Sequence, residues 1–165
     1  MLQVEKDYTI ENYYTEGGSV TKQGIKRRIM AVNFIYKLHQ EKGYKHETVF
    51  RAISVLDRYL ARVGHANIPK VKFLRLVIVV LLIGAKLEQT LAPSFSLMIE
   101  LLDERDREKI TIDSLYELEM EVLSTLSYDF EFPGPVPFLE RYMRLFDHDK
   151  NETIRELSFL ICKFS

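Results

Sequence analysis

A chain of 165 residues with a formal net charge of −1 has room for one domain with a substantial core, or for one domain and part of a second. Acidic and basic residues are interspersed, so the charge pattern excludes nucleic acid and an anionic membrane as expected partners. The single cysteine, Cys162, excludes an intramolecular disulfide and suits a reducing compartment; with no apolar core of signal-peptide length in MLQVEKDYTIENYY, the expected location is cytoplasm or nucleus.

Residues 1–21 carry no sustained period, and Gly17-Gly18-Ser19 interrupts them before Thr21 can cap the next segment, so they read as an N-terminal arm. From Lys22 to about Lys42, Ile25, Ile29, Val32, Ile35 and Leu38 recur at spacings of three and four, which predicts a first helix stopped by Gly43. Glu47 to Val63 repeats the signal through Val49, Ala52, Ile53, Leu56, Leu60 and Val63, and Gly64 ends it. The next segment, Lys72 to Gln89, is KFLRLVIVVLLIGAKLEQ. Its unbroken apolar stretch from Leu76 to Ala85 falls short of the roughly eighteen residues a membrane span needs, and Arg75 and Lys86 bracket it. It is about twice a strand's length, and Ile68-Pro69 gives it a helix start. A helix apolar nearly all round must be wrapped by others, so this one is predicted to lie at the centre of the fold.

A shorter fourth helix is predicted from about Pro93 to Leu102, with the charged DERDREK (103–109) as a solvated turn. Thr111 and Asp113 open a fifth helix whose buried face is Leu115, Leu118, Val122, Leu123 and Leu126. Pro133, Pro135 and Pro137 end that unit, because each removes an amide donor and restricts the residue before it. A further helix runs from near Val136 to Phe146, Asp147-His148-Asp149 breaks the pattern, and TIRELSFLICKFS begins an amphipathic helix. With no strand pattern and no repeat, the expected fold class is all-α, a bundle of five helices around a central third.

Arg28 shares a helix face with Ile25, Val32 and Ile35, and Asp57 lies four residues after Ile53 and three before Leu60. Both charges therefore point inward, and the economical arrangement is mutual neutralisation across the first two helices. Lys86 ends the central helix, and Glu119 borders the apolar face of the fifth, four residues after Leu115. Taken alone, these residues favour the plainer reading, a cation complementing a helix C-terminus and a solvated edge carboxylate. Nothing points to catalysis. His39, His46, His65 and His148 are scattered, no HExxH or His/Cys cluster is present, Cys162 lacks a base, and Gly17-Gly18 has neither strand nor Gly-Lys-Ser/Thr around it. No catalytic residue, metal or cofactor is expected.

Four strings in order, RRIMAVNFIYKL, TVFRAISVLDRYL, LLIGAKLEQ and LYELEMEVLSTLSYDFEFPGPVPFLERYMRLF, together resemble the cyclin box from about Ile25 to Phe146. The resemblance implies the five-helix fold, a box over 22–132 after the arm at 1–21, and a linker helix and the start of a second, incomplete cyclin fold over 133–165. It implies that Arg28 and Asp57 match the family's buried pair and that Lys86 and Glu119 match its kinase-contacting pair. Leu87, Leu123, Tyr128 and Phe130 would be apolar contacts, and Glu88 the one acid left where the family often shows two. The implied function is a non-enzymatic subunit that binds and activates a cyclin-dependent Ser/Thr protein kinase. The alternative is a structural subunit of a larger assembly. Where many cell-cycle cyclins carry a docking patch of Met, Ile, Leu and Trp, this sequence has Arg27, Met30, Ala31 and Phe34, and Arg75 stands at a usually apolar position unless the register slips to Leu74 or Leu76.

Overall fold

In the computed structural model, which describes residues 15–16, 19–20, 22–64, 68–100, 102–130, 134–148 and 150–164, two short strands precede eight helices. Strands β1 (Thr15–Glu16) and β2 (Ser19–Val20) pair antiparallel, Thr15 opposite Val20 and Glu16 opposite Ser19. Two-residue strands are too short to leave an alternation in hydropathy, and the fold is all-α apart from them. Thr21, the expected cap, lies outside the described residues, as do His65, Pro133 and Asp149. The helices are α1 (Lys22–Lys42), α2 (His46–Val63), α3 (Lys70–Glu88), α4 (Phe95–Glu100), α5 (Glu104–Arg107), α6 (Ile112–Thr125), α7 (Pro135–Leu145) and α8 (Glu152–Phe164).

Helix α3 is the axis. Every side chain from Leu76 to Ile83 is buried to within 3% of complete, so α3 must be enclosed by α1, α2 and α6. It comes close to α2 at Gly84. A Cβ there would lie 2.9 Å from the Thr48 carbonyl oxygen and 3.1 Å from the Ala52 amide nitrogen, so only glycine lets the two backbones come this near. Gln89, which follows α3, donates from Nε2 to the buried Thr48 Oγ1 at 2.6 Å and ties the same crossing.

Helix α1 departs from the expected face. Its buried residues are Gly24, Ala31, Val32, Ile35, Leu38 and His39, while Ile25 and Ile29 are exposed. At about 100° per residue, Ile25 and Ile29 stand roughly 80° and 120° from the Ile35 direction, outside the stripe to which a spacing of three or four would assign them.

The charged segment after α4 is not a plain solvated turn. It winds into the one-turn helix α5, and Arg107 Nη2 donates to the carbonyls of Glu100 at 2.7 Å and Leu102 at 3.1 Å. The Glu100 carbonyl ends α4 and the Leu102 carbonyl follows it; Arg107 supplies the donor that both need. Thr111 caps α6 in a reciprocal capping box with Ser114.

Helices α7 and α8 form a small second core of Val136, Met143 and Phe159, backed by Phe50 of α2. Between them Asp147 takes the left-handed conformation (φ 55°), and the His148 amide returns to the Met143 carbonyl. No described helix is long and apolar enough to cross a membrane.

Candidate functional site

The last turn of α3 carries Lys86 out of the core, and α6 crosses beside it. Lys86 Nζ donates to Glu119 Oε1 at 2.6 Å. The two members differ in exposure, with 47% of the lysine side chain open to solvent and 9% of the glutamate. Sequence spacing placed Glu119 on the edge of the apolar face; the structure buries it, because Leu115, Leu118 and Val122 around it are themselves packed inside. A buried carboxylate holding a half-exposed ammonium fixes the cation in place while leaving it accessible. An ammonium has three donors and Glu119 takes one. Lys86 also stands 5.8 Å from the centroid of Phe95, whose ring meets Tyr116 edge-on at 4.9 Å.

Apolar residues flank this pair along the chain. Leu87 is exposed, as expected from the sequence, and so is Tyr128, whereas Leu123 and Phe130 are partly buried against the main core. Three residues that the sequence does not single out, Tyr116 and Met120 of α6 and Leu91 after α3, are also exposed, Leu91 to 87%. Ile112, Tyr116 and Met120 recur every fourth residue along α6, a stripe visible in the sequence but overshadowed by the stronger buried stripe beside it. Glu88 is turned inward: Arg51 Nε donates to its Oε1 at 2.7 Å.

On the other side of α2, Arg28 and Asp57 meet through two parallel bonds, Nε to Oδ1 at 3.0 Å and Nη2 to Oδ2 at 2.9 Å. Asp57 is buried and Arg28 keeps 28% of its side chain in solvent, so this is a half-buried pair at the α1–α2 seam. An inward arginine and aspartate joining the first two helices, an apolar third helix ending in alanine-lysine, and a glutamate on a following helix that meets that lysine form one arrangement. The family profile described as cyclin, N-terminal domain, matches residues 1–131.

The chain belongs to the cyclin family. It is 26% identical over 136 residues to Cyclin-B2-1 of Arabidopsis thaliana, covering 82% of this chain and 30% of that protein. It is 29% identical over 137 residues to Cyclin-B2-2 of the same plant, again with 82% and 30% covered. Against the G2/mitotic-specific cyclin-B of Emericella nidulans it is 28% identical over 125 residues, covering 75% and 24%. This cyclin chain thus spans about three tenths of the length of the first two relatives.

The cyclin patch positions on α1 are split. Arg27 is held down, donating from Nη1 to the Ile68 carbonyl at 2.9 Å with its guanidinium 5.7 Å from the Phe73 centroid. Ala31 is buried, Met30 exposed and Phe34 intermediate. Met30, Ala31 and Phe34 line a groove of about 330 Å³ between α1 and α3, floored by Phe73 and Val77 and edged by Lys70, Asp106 and Lys109. Leu76 fills the core, while Arg75 reaches out and donates from Nη2 to the Lys109 carbonyl at 2.9 Å.

Two further clusters of this cyclin box join residues far apart in sequence. Tyr59 donates to Glu121 Oε1 at 2.5 Å, and Lys72 Nζ lies 2.8 Å from both oxygens of the same carboxylate. Burial alone would raise the Glu121 carboxyl, but the bonds from Lys72 and Tyr59 outweigh it and hold it below the usual range; burial and then that same carboxylate push the Tyr59 hydroxyl up. Two of the histidines meet in space. His39 and His46 lie 4.8 Å apart between centroids, and His46 stacks on Phe159 of α8 at 3.9 Å. Among the described residues no group of three or more His, Cys, Asp or Glu side chains is placed to hold a metal.

Proposed function

We propose that this chain is a regulatory subunit that binds a Ser/Thr protein kinase of the cyclin-dependent class and activates it without chemistry of its own. The observation that carries this reading is the Lys86–Glu119 pair, an accessible cation anchored on a buried carboxylate, with exposed Leu87 beside it on α3, Tyr116 and Met120 on α6 and Tyr128 just after α6. Exposed apolar groups with one fixed polar anchor are the anatomy of a protein-binding hot spot. Family membership supports a kinase as the partner, and one of the relatives named above is a G2/mitotic-specific cyclin-B. Activation in such a pair is a matter of differential binding. A subunit that holds the kinase's regulatory helix where its Lys–Glu ion pair can form stabilises the active conformer over the inactive one and shifts the population.

The test is affinity purification of the tagged chain from its own cells, followed by a phosphorylation assay with the recovered complex. A Ser/Thr kinase recovered in equal amount, active only with the chain present, is the expected result. Recovery of a large assembly that lacks a kinase overturns the reading in favour of a structural subunit.

A further inference from the structure

We propose that Arg51 and Arg58 of α2, neither of which the proposed interface includes, are positioning residues that hold the segment 127–130 so that Tyr128 is presented to the partner. The inference rests on the reading of the Lys86–Glu119 surface as a kinase-binding site. Helix α6 ends in two successive non-glycine residues in the left-handed region, Ser127 at φ 54° and Tyr128 at φ 55°. L-residues with side chains disfavour that region, and two in a row persist only where the surroundings over-determine the backbone. Part of the determination is local: the Tyr128 amide donates to the Leu123 carbonyl at 2.9 Å and the Asp129 amide to that of Leu126 at 3.0 Å. The rest comes from α2. Arg58 Nη1 donates to the Asp129 carbonyl at 2.8 Å and its Nη2 to Asp129 Oδ2 at 3.1 Å, while Arg51 Nη1 donates to the Phe130 carbonyl at 2.8 Å.

The two arginines are seven residues apart, two helical turns and about 10 Å along one face of α2, so successive peptide carbonyls are gripped from a rigid support. Arg58 is buried, and a guanidinium so placed has no reason to be there except its acceptors. Arg51 spans further, since its Nε also binds Glu88 at the end of α3. The same helix thereby fixes the C-terminal end of α3, which carries Lys86, relative to the chain that leaves α6. Tyr128 itself stays exposed, held by its backbone. A large aromatic ring on a locked backbone gives contact area at small entropic cost on binding.

The experiment uses the full chain with Arg58→Gln, Arg51→Gln, Tyr128→Ala and the double variant Arg58→Gln/Tyr128→Ala. Hydrogen exchange of the free protein reads the clamp directly. Each arginine variant is expected to speed exchange at the amides of 128 and 129 by at least about tenfold while the interiors of α3 and α6 keep their protection. Affinity for purified cyclin-dependent kinase catalytic subunits reads the consequence. Arg58→Gln and Tyr128→Ala should each weaken binding about tenfold, and the double variant no more than either alone, because the arginine acts through the tyrosine. Losses that add in the double variant, or exchange at 128 and 129 unchanged from wild type, overturn the inference. If the wild-type chain binds no such kinase, the functional reading falls by itself, and the exchange result still decides whether the arginines hold the segment.

Discussion

Arg28 and Asp57, on helices joined by a short turn, share two parallel hydrogen bonds of 3.0 and 2.9 Å, but the aspartate is the more deeply enclosed, with 12% of its side chain exposed against 28% for the arginine. Removal of the two partners should therefore not be equivalent. Arg28→Met takes the guanidinium away from a carboxylate that water reaches poorly, and should cost about 3 kcal/mol or more. Asp57→Ala leaves an arginine able to turn toward solvent, and about 2 kcal/mol is expected. Urea denaturation of both variants checks the order. Equal and negligible losses would mean that the pair contributes nothing to the α1–α2 seam.

Gly84→Ala sets two effects against each other. In a free helix the alanine would be favoured by about 0.8–1 kcal/mol. Here the new methyl meets backbone atoms of α2 at 2.9 and 3.1 Å, and neither can move without shifting the helix. Overpacking of this kind costs about 1–3 kcal/mol, so a net loss is expected, seen as a fall of several degrees in Tm. A variant as stable as wild type would show that α2 and α3 are not in contact at this point.

The extent to which this arrangement was legible in the sequence depended on distance along the chain. The central helix was plain because Leu76 to Ala85 is an apolar run that no surface element could carry, and α2 and α6 followed from their periods. The charges of Arg28 and Asp57 stood out because each interrupts an apolar stripe. Arg51 and Arg58 did not stand out, although they bind Asp129 and Phe130 more than 70 positions away, because an arginine on an amphipathic helix looks the same whether it meets water or a carbonyl. The Tyr59–Glu121–Lys72 cluster and the His39–His46 contact were hidden for the same reason: helical spacing tells which face a residue is on and nothing about what crosses it. The exposure of Ile25 and Ile29 is the converse case, because an apolar side chain need not be a buried one.

The histidine contact predicts a pH dependence. His39 is buried, its Nδ1 has no hydrogen-bond partner among the described residues, and His46 faces it; burial first and His46 second hold its imidazole below the ordinary range. A backbone group of Tyr44 and the Glu156 carboxylate of α8 pull the other way and are outweighed, and the Tyr36 ring at 5.5 Å adds no charge. A histidine whose pKa is depressed on folding contributes its stability in full above its unfolded pKa, near 6.5, and loses it as pH falls from there through the folded value. Tm should therefore drop as pH falls below about 7, ahead of any loss from Glu121, whose depressed carboxyl gives up its stabilisation only as pH falls below the ordinary carboxylate value of 4.5. His39→Gln should flatten that part of the profile. An unchanged slope in this variant would place the titration elsewhere.

The groove between α1 and α3 should take an Arg-x-Leu peptide poorly. Lys70 and Lys109 stand on its rim, Asp106 is 3.4 Å from Lys109, and Arg27 is occupied at Ile68. An incoming arginine meets like charge, and like charges set against each other at an interface disfavour a partner. Calorimetry is expected to show no binding in the low-micromolar range that a docking motif needs. Binding at that strength would mean that the apolar floor outweighs the rim.

The unequal burial of Lys86 and Glu119 determines how their role must be tested. Lys86→Ala strips the ammonium from a carboxylate with 9% of its side chain exposed, so this variant should itself lose about 1–3 kcal/mol of stability, and a failure to bind would be ambiguous. Replacing both partners by neutral groups of similar shape avoids the problem, because no buried charge is then left alone. Lys86→Met/Glu119→Gln should melt within a few degrees of wild type. If the pair anchors a kinase, that same variant loses the polar contact, and hot-spot truncation of this kind costs about 2 kcal/mol or more, roughly thirtyfold in affinity. Glu119→Gln alone keeps the lysine with a neutral acceptor and should fall between. Normal melting with lost kinase binding and activation is the expected outcome. Early melting of the double variant would make the pair a structural fastening of α3 to α6. Normal melting with undiminished kinase binding would place the interface elsewhere on the cyclin box, because no contact to Lys86 could then be part of it.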